Sequence, residues 1–362
     1  MLRIDMLPAA QGDALWIEYG DEHSPKRILI DGGTKGSWKE GLRARIEGLP
    51  AADRHFELLI VTHIDADHID GALKLLQDET LGTSFGDVWF NGWRHLPETL
   101  EPLGPVAGER LTDAIVNRGL PWNDAFNEKA VAIPTTGALP KTKLADELTI
   151  TVLAPGLEQL FELRPVWKKA IEEAGLDPET PQPAPPVEPP AHGLEHLGGP
   201  PNVDALAASV FEEDSAEPNG SSIVILLEHD GKSVLLTGDA FPSVVLAGVE
   251  RLNAERNVPK LSLDKFKVPH HGSRFNLSPA LIAAIDCKDH LFSSNGKQTE
   301  HPHPESVARV LAASGAGTRL FFNYSTTFNE AWADATLQNA RGYTATYPAA
   351  GSTGLEVSLD GD

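Results

Sequence analysis

The chain has 362 residues, 41% of them apolar, which is enough for a large buried core. Its formal net charge of −22 disfavours binding of polyphosphate backbones across the whole surface, because such binding depends on lysine and arginine. The single cysteine, Cys287, excludes an internal disulfide. The first residues lack the apolar stretch of a secretion signal, and no apolar run approaches the ~20 residues of a membrane helix. We therefore expect a cytoplasmic protein with no membrane partner.

The first ninety residues read as short strands separated by glycine turns. Apolar residues at Ile69, Leu73 and Leu76 then have the spacing of a helix. The predicted strands cover residues 2–7, 14–19, 27–30, 58–61 and 87–90, and the predicted helix covers residues 67–77.

Residues 91–218 have a different character, and we interpret them as an insertion. Helices are predicted at 110–117 and 157–174, with a strand at 148–153 between them. Residues 177–201 read DPETPQPAPPVEPPAHGLEHLGGPP, which neither a helix nor a sheet interior tolerates. This loop is predicted to be polyproline-like extended chain or disordered. It could bind a protein partner, or cover the site until a regulatory protease cuts it.

Strand patterns return after residue 218. Strands at 221–228 and 233–237 flank the turn His229-Asp230-Gly231, which indicates a hairpin. Helices are predicted at 242–257, 279–285 and 304–313, and strands at 264–268, 290–292, 318–322, 343–347 and 355–359. Two similar halves, 1–90 and 219–362, around one insertion predict an α/β fold in which two sheets pack face to face with helices outside.

Four potential metal ligands follow the apolar run Leu58-Leu59-Ile60-Val61, within six residues. They lie where a buried strand ends and a helix begins, so their side chains can converge without entering the core. Imidazole nitrogen and carboxylate oxygen are donors that zinc and manganese accept. The alternative is that these residues only start a helix, since aspartate is a favoured cap. The four are His63, Asp65, Asp67 and His68.

Further polar residues follow other predicted strands or occupy turns. Asp31 ends ILID, Asp239 ends LLTGD, and two histidines follow KVP. A late helix opens with EHPHP, and the first hairpin turn contains QGD. The residues that these segments add to the candidate site are Asp13, Asp31, Asp239, His270, His271, His301 and His303.

In this order the motifs resemble the metallo-β-lactamase superfamily, whose usual His-x-His-x-Asp-His signature appears here as His63-x-Asp65-x-Asp67-His68. Together with QGDALWIEYG, NGSSIVILLE, LLTGDA, VPHHGS and HPHP, this is similar to the soluble domains of ComEC-like, competence DNA-uptake proteins and their stand-alone relatives. The resemblance covers residues 1–90 and 219–310 but not the insertion. It implies a four-layer αββα sandwich, with a helical, proline-rich insertion, and a centre of two divalent metal ions, zinc or manganese.

The resemblance also implies roles for individual residues. One metal would be held by His63 and Asp65, the other by Asp67 and His68, with Asp239 bridging. Either of the two adjacent histidines could complete the second site. The implied metal ligands are His63, Asp65, Asp67, His68, Asp239 and His270, and the implied groups for catalysis or substrate contact are Asp67, His271, His301 and His303.

Three supporting residues complete the prediction. Asp31 is expected to orient a ligand histidine from behind rather than bind metal. Asp13 is expected either to hydrogen-bond near the site or to stabilise its own turn. The superfamily normally supplies a third histidine to the first metal, but this chain has Asn219 in that region. One metal site could therefore be weaker, exchangeable or completed by Asn219.

Two divalent ions that share a hydroxide can clamp the attacking and leaving oxygens of a displacement. With the resemblance, this predicts a phosphodiesterase or nuclease whose phosphoester substrate could be DNA or RNA. The alternatives are a small-molecule phosphodiesterase, a lactam or lactone hydrolase, and a degenerate metal-binding interaction protein. Cationic residues near the C-terminal motifs could form a local basic patch. They are Lys260, Lys265, Lys267, Arg274 and Lys297.

Overall fold

The computed structural model describes residues 1–97, 106–174 and 200–360. Most of the proline-rich loop, residues 177–199, therefore lies outside the described residues, together with the roles expected of it. In the described ranges, no helix is both long and apolar enough to cross a bilayer.

The strands and helices predicted for the described residues are all present, within a few residues of their predicted bounds. The strands are β1 (Leu2–Met6), β2 (Leu15–Tyr19), β3 (Lys26–Ile30), β4 (His55–Phe56), β5 (Leu58–Ile60), β6 (Ser84–Phe85), β7 (Val88–Trp89), β8 (Lys141–Lys143), β9 (Thr149–Ala154), β10 (Val224–His229), β11 (Lys232–Leu236), β12 (Leu261–Leu263), β13 (Lys265–Lys267), β14 (Ile285–Cys287), β15 (Asp289–Phe292), β16 (Arg319–Phe322), β17 (Thr344–Thr346) and β18 (Leu355–Ser358).

Among the longer helices, α7 and α9 begin with a proline, and α2 follows the extended Asp65, as helix N-termini commonly do. The sequence patterns did not predict four of the short ones, α1, α5, α6 and α10. The helices are α1 (Ala44–Glu47), α2 (Ala66–Gln77), α3 (Val106–Asn117), α4 (Leu157–Ala174), α5 (Val203–Ala207), α6 (Glu217–Gly220), α7 (Pro242–Arg256), α8 (Pro279–Ala283), α9 (Pro304–Ser314) and α10 (Ala335–Arg341).

The strands form two large mixed sheets. The first has six strands in the order β18-β1-β2-β3-β5-β7, and the second has eight in the order β17-β16-β15-β13-β11-β10-β9-β8. Within the first sheet, β3, β5 and β7 are parallel. Within the second, the run from β11 to β17 is parallel. Two small pairs, β4 with β6 and β12 with β14, stand apart from these sheets.

The two sheets pack face to face, because alternate side chains on their strands point into a shared core. Ile17 and Ile28 from the first sheet meet Ile225 and Val234 from the second in this layer. The opposite face of the first sheet is covered by α2, α3 and α4, and that of the second mainly by α7, α8 and α9. The layers are therefore helix, sheet, sheet, helix, which confirms the predicted αββα sandwich.

Part of the segment interpreted as an insertion belongs to the second sheet. Strand β9 pairs antiparallel with β10, and β8 continues the sheet beyond β9. Residues 141–154 are thus integrated into the sandwich. At the other end of the chain, β18 pairs with β1 in the first sheet, so the C-terminal segment joins the sheet of the N-terminal half.

Candidate metal centre

The predicted ligands meet at one edge of the sandwich because several strands end there. Asp31 follows β3 and His63 follows β5, at the ends of two parallel neighbours. Asp239 follows β11 and the His270-His271 pair follows β13, which are also parallel neighbours. The carboxyl ends of parallel strands gather their loops on one side, so both sheets deliver polar residues to the same place.

Four side chains form the first group, which we call the His68 set: Asp67, His68, Asp239 and His271. His68 Nε2 lies 3.1 Å from Asp239 Oδ2 and 3.2 Å from His271 Nε2. His271 Nε2 lies 3.4 Å from Asp239 Oδ2 and 3.6 Å from Asp67 Oδ2. All but Asp67 are buried.

The second group, which we call the His63 set, consists of His63, Asp65 and Asp239. His63 Nε2 lies 3.6 Å from Asp65 Oδ2 and 3.9 Å from Asp239 Oδ2. Asp65 is the residue before α2, but its carboxylate makes no capping hydrogen bond to that helix. The alternative reading of Asp65 as a plain helix cap therefore finds no support, and Asp239 is the member that the two sets share.

The spacing of these atoms fits a divalent metal ion. Ligands 2.0–2.2 Å from a tetrahedral ion lie about 3.3–3.6 Å from each other. Most of the separations in the two sets are close to this value. In addition, His63 Nε2 and Asp239 Oδ1 are buried and have no hydrogen-bond partner among the described residues. Buried polar atoms normally have a partner, so these two are free to bind a ligand.

Asp31 lies directly behind His68. Its Oδ2 is 2.8 Å from His68 Nδ1, and it also accepts a hydrogen bond from Thr62 Oγ1 at 2.7 Å. Its Oδ1 accepts one from the Thr62 backbone N–H at 2.8 Å. Because a carboxylate only accepts, His68 donates from Nδ1 and turns Nε2 toward the other donors. This contact fixes the orientation of a candidate ligand, which is the usual role of such a carboxylate.

Asp13 occupies the corresponding position behind His271. Its Oδ1 is 3.5 Å from His271 Nδ1, and its Oδ2 accepts a hydrogen bond from the buried Lys267 Nζ at 2.8 Å. The preceding Gly12 packs directly on α2, since a Cβ there would lie 1.7 Å from the backbone oxygen of Asp67. The turn therefore needs glycine at residue 12 and brings Asp13 beneath the site.

The buried charges at the site stabilise one another. Burial alone would raise the pKa of Asp239, but the positive charges of His271 and His68 hold it well below its usual range. Burial opposes ionisation of Asp67 too, yet the same histidines lower its pKa to about 2. The pKa of His68 is well above its ordinary value, because Asp239 and Asp31 outweigh its burial. Such a carboxylate–histidine cluster suits a cation.

The two adjacent histidines take different positions. His271 is buried among the ligand atoms described above, whereas His270 is at the margin, with Nε2 3.7 Å from Asp239 Oδ2. Both have a positive φ, 45° and 54°, so the backbone makes a tight left-handed turn after β13. The geometry places His271 inside the His68 set and His270 beside it, and which of the two would bind metal stays a prediction.

Two further histidines approach from the loop before α9. The His301 ring centre is 5.1 Å from that of His270 and 4.7 Å from that of His303. His303 directly precedes α9, and its Nδ1 accepts a hydrogen bond from the Arg274 backbone N–H at 3.0 Å. Burial, with the positive charges of His270 and His271, holds the pKa of His301 well below its usual value.

The sequence patterns missed two residues beside His270. Asn276 Oδ1 lies 2.9 Å from His270 Nδ1, and Asp214 Oδ2 lies 3.5 Å from the same nitrogen. Asn219 donates from Nδ2 to Asp214 Oδ2 at 2.7 Å, and its own Oδ1 is buried without a hydrogen-bond partner among the described residues. Asn219 therefore lies on the His270 side of the site, and its completion of a metal site stays a prediction.

A two-sheet αββα sandwich thus carries its His-x-Asp-x-Asp-His motif, the aspartate that both donor sets share and its His-His turn at one edge. This layer order and these motifs are those that the sequence resemblance to the metallo-β-lactamase superfamily implies. No family model matches the chain. It is 25% identical over 322 residues to ComE operon protein 3 of Bacillus subtilis (strain 168), an alignment that covers 85% of this chain and 30% of that protein. The chain therefore spans less than a third of the length of this relative.

Three solved structures of known proteins are also similar along the whole chain. They are zinc-bound PqqB of Methylobacterium extorquens (13% identity, TM-score 0.42, 99% of this chain and 100% of that one), the short form of human tRNase Z (11%, 0.44, 99% and 99%), and a diphosphatase of the PhnP family (11%, 0.39, 98% and 97%). Identities of this size leave the substrate of this chain open.

The expected basic patch is largely neutralised. Lys265 and Lys267 are buried and paired with Asp289 and Asp13, so neither charge faces solvent. The guanidinium of Arg274 is 3.3 Å from Glu305. Lys260 and Lys297 are exposed. The cationic residues of the C-terminal motifs thus act mostly within the fold, and little of their charge is presented to a polyanion.

Proposed function

We propose that this chain is a metal-dependent phosphodiesterase. The observation that carries the proposal is that Asp239 belongs to both donor sets, 3.1 Å from His68 and 3.9 Å from His63. A carboxylate shared in this way suits two neighbouring ions, zinc or manganese. When bound, such ions lower the pKa of water and stabilise the charge of the attacking and leaving oxygens in an in-line displacement.

Residues at different positions in the site have different proposed roles. His63, Asp65 and Asp239 would hold one ion, and Asp67, His68, Asp239 and His271 the other. Asp31 and Asp13 keep two of these histidines oriented. His270 lies beside the ligands with 14% of its side chain exposed, and His301 lies behind it. These two are the candidates for proton transfer or substrate contact, together with His303.

A small phosphodiester is favoured over nucleic acid by the charges. The net charge is −22, and Lys265 and Lys267 are already paired with buried aspartates. A nuclease would need exposed cations to neutralise several phosphates. The sequence resemblance to ComEC-like domains supports nucleic acid instead, so DNA and RNA remain the second candidate substrates.

The test is turnover of a chromogenic phosphodiester, DNA and RNA with zinc or manganese added, comparing the wild-type chain with Asp67→Ala. Asp70→Asn, on the same helix but outside both sets, is the matched control. We expect hydrolysis of the chromogenic diester that Asp67→Ala loses and Asp70→Asn keeps. Absence of turnover by the metal-loaded wild type, or cleavage of a chromogenic lactam alone, would contradict the proposal.

Salt dependence then separates the two substrate classes. If nucleic acid is the substrate, its binding should weaken steeply with salt, because counterions are released from each neutralised phosphate. A small diester should show a nearly flat dependence over the same range. A steep slope together with turnover of DNA or RNA would overturn the preference for a small substrate.

A further inference from the structure

The turn that carries Asp13 is held in place by the second half of the chain. This turn, residues 7–13, joins β1 to β2 in the first sheet. The Ala10 backbone N–H donates to Tyr324 Oη at 2.9 Å, and the Asn295 backbone N–H donates to the Ala10 oxygen at 2.9 Å. A turn of one sheet is thus tied to the loops that follow β15 and β16 of the other sheet.

Two fully buried residues, Ser293 and Asn323, hold the turn at Gly12, immediately before Asp13. Ser293 follows β15 and Asn323 follows β16, which are parallel neighbours. Ser293 Oγ donates to the backbone oxygen of Gly12 at 3.1 Å. Asn323 Nδ2 donates to Ser293 Oγ at 3.1 Å and to the backbone oxygen of Leu7 at 3.2 Å. The pair therefore contacts both ends of the turn.

The hydrogen bonds of this pair can run in only one direction. Asn323 Oδ1 accepts from the Ser294 backbone N–H at 3.1 Å, so the amide cannot invert and its NH2 group must face Ser293. The Ser293 hydroxyl has one proton, and because it accepts from Asn323, that proton goes to the Gly12 oxygen. Asn323 thus orients the hydroxyl of Ser293, and Ser293 fixes the position of Gly12.

The position of Gly12 determines where the carboxylate of Asp13 lies. On its other side Gly12 packs against α2, because a Cβ there would be 1.7 Å from the backbone oxygen of Asp67. The backbone oxygen of Asp13 accepts from the Gly33 backbone N–H at 2.7 Å. Its Oδ1 then lies 3.5 Å from His271 Nδ1. A shift of the turn would therefore displace the carboxylate behind a member of the His68 set.

We propose that Ser293, oriented by Asn323, is a positioning residue for Asp13 and, through it, for the ion of the His68 set. Both residues are neutral, so they act by placing the turn and add no charge to the site. A supporting carboxylate that is out of place orients its histidine less well, which weakens metal binding. This proposal rests on the metal centre of the proposed function but not on its substrate.

The first test is zinc affinity, measured by calorimetry in two chains that each keep one donor set intact. His63→Ala keeps the His68 set, and His68→Ala keeps the His63 set. We expect Ser293→Ala to weaken binding about 10-fold in the first chain, the lower end of what loss of a supporting residue costs, and not at all in the second. With Asp13→Asn also present, Ser293→Ala should cost nothing more.

Ser294→Ala is the matched control, because it removes a neighbouring buried hydroxyl that accepts from the Gly296 backbone N–H. It should leave both affinities unchanged. Ser293→Cys keeps the size of the side chain but donates more weakly, so it should give a smaller loss of the same pattern. Thermal unfolding verifies that the variants fold. Equal losses in the two single-set chains would overturn the proposal, as would an equal cost with aspartate and asparagine at residue 13.

The second test needs no metal. The Gly33 backbone N–H donates to the oxygen of Asp13, so its hydrogen exchange reports whether the turn is in place. In the metal-free chain we expect Ser293→Ala to accelerate this exchange about 10-fold and Ser294→Ala to leave it unchanged. If the exchange accelerates but the wild type hydrolyses no diester, the proposed function fails while the positioning stands. If the exchange is unchanged, Ser293 does not position the turn.

Discussion

The two donor sets share Asp239 but differ in what supports their histidines. In the His68 set, both His68 and His271 have a carboxylate on the far side, Asp31 at 2.8 Å and Asp13 at 3.5 Å. In the His63 set, the one hydrogen-bond contact of His63 Nδ1 among the described residues is the hydroxyl of Thr62, at 3.0 Å. A carboxylate raises the basicity of a ligand imidazole more than a hydroxyl does. The His68 set should therefore bind its ion more tightly.

The hydroxyl of Thr62, which contacts His63, is itself hydrogen-bonded to Asp31, the carboxylate behind His68. Thr62 Oγ1 donates its one proton to Asp31 Oδ2, so it must accept at His63 Nδ1. Asp31 thus orients His68 directly and His63 through one hydroxyl. Asp65, the other member of the His63 set, is 29% exposed, whereas Asp31 is fully buried. The two donor sets are therefore linked through Asp31, but they differ in the support of their histidines and in solvent access.

The largest expected effect comes from removing one histidine from each set. Metal titration of the wild-type chain by calorimetry should show two binding events of unequal affinity. His68→Ala should abolish the tighter event, because it removes a nitrogen at the centre of its set. His63→Ala should leave the tighter event and remove the weaker one. The opposite pattern, or equal losses in both variants, would show that the supporting carboxylates do not rank the sites.

A smaller effect is expected from the supporting residues. Asp31→Asn should weaken both binding events by roughly 10- to 100-fold, since both histidines lose their orienting carboxylate. Thr62→Val keeps the shape of the side chain and removes the hydroxyl that joins His63 to Asp31, while Asp31 keeps its direct contact with His68. It should therefore weaken the second event alone, by less than Asp31→Asn does. If Thr62→Val weakens the tighter event equally, the proposed relay through the hydroxyl does not exist.

Sequence patterns predicted the candidate ligands better than the residues that support them. The ligands themselves follow buried strands in short motifs, so strand periodicity placed His63, Asp239 and the two adjacent histidines at one edge. The fold class followed in the same way, from alternating strands and helices. Local patterns of this kind depend on neighbours in the chain, which is why they could be interpreted without a structure.

The supporting contacts depend on long-range packing and could not be predicted. Asp214 lies 56 residues before His270 in a loop with no periodicity, and it reaches the site because its backbone pairs with Phe275. Lys267 was interpreted as part of a basic patch, but it lies in a central strand and is buried against Asp13. Its alternating neighbours in KFK gave no indication of a partner 254 residues away.

Among the described residues, no carboxylate lies within ion-pair distance of the buried His290, in contrast to His68 and His271. We expect the smallest effect on stability from this residue. His290 is 1% exposed, and its Nε2 lies 3.0 Å from Ser314 Oγ. Burial lowers its pKa from 6.5 to about 4, the opposite direction to His68 and His271. The unfolded chain therefore binds a proton near pH 6.5 that the folded chain accepts only near pH 4, so this residue makes stability fall as the pH drops between these values.

The cost at His290 between about pH 7.5 and pH 5.5 should be about 1 kcal/mol of unfolding free energy. Denaturant unfolding of the wild type and His290→Gln at the two pH values measures it, because glutamine cannot take up the proton. The pH-dependent loss should be smaller in the variant by this amount. An equal loss would mean that His290 is charged in the folded chain, and burial without a carboxylate would then not be what distinguishes it from the two ligand histidines.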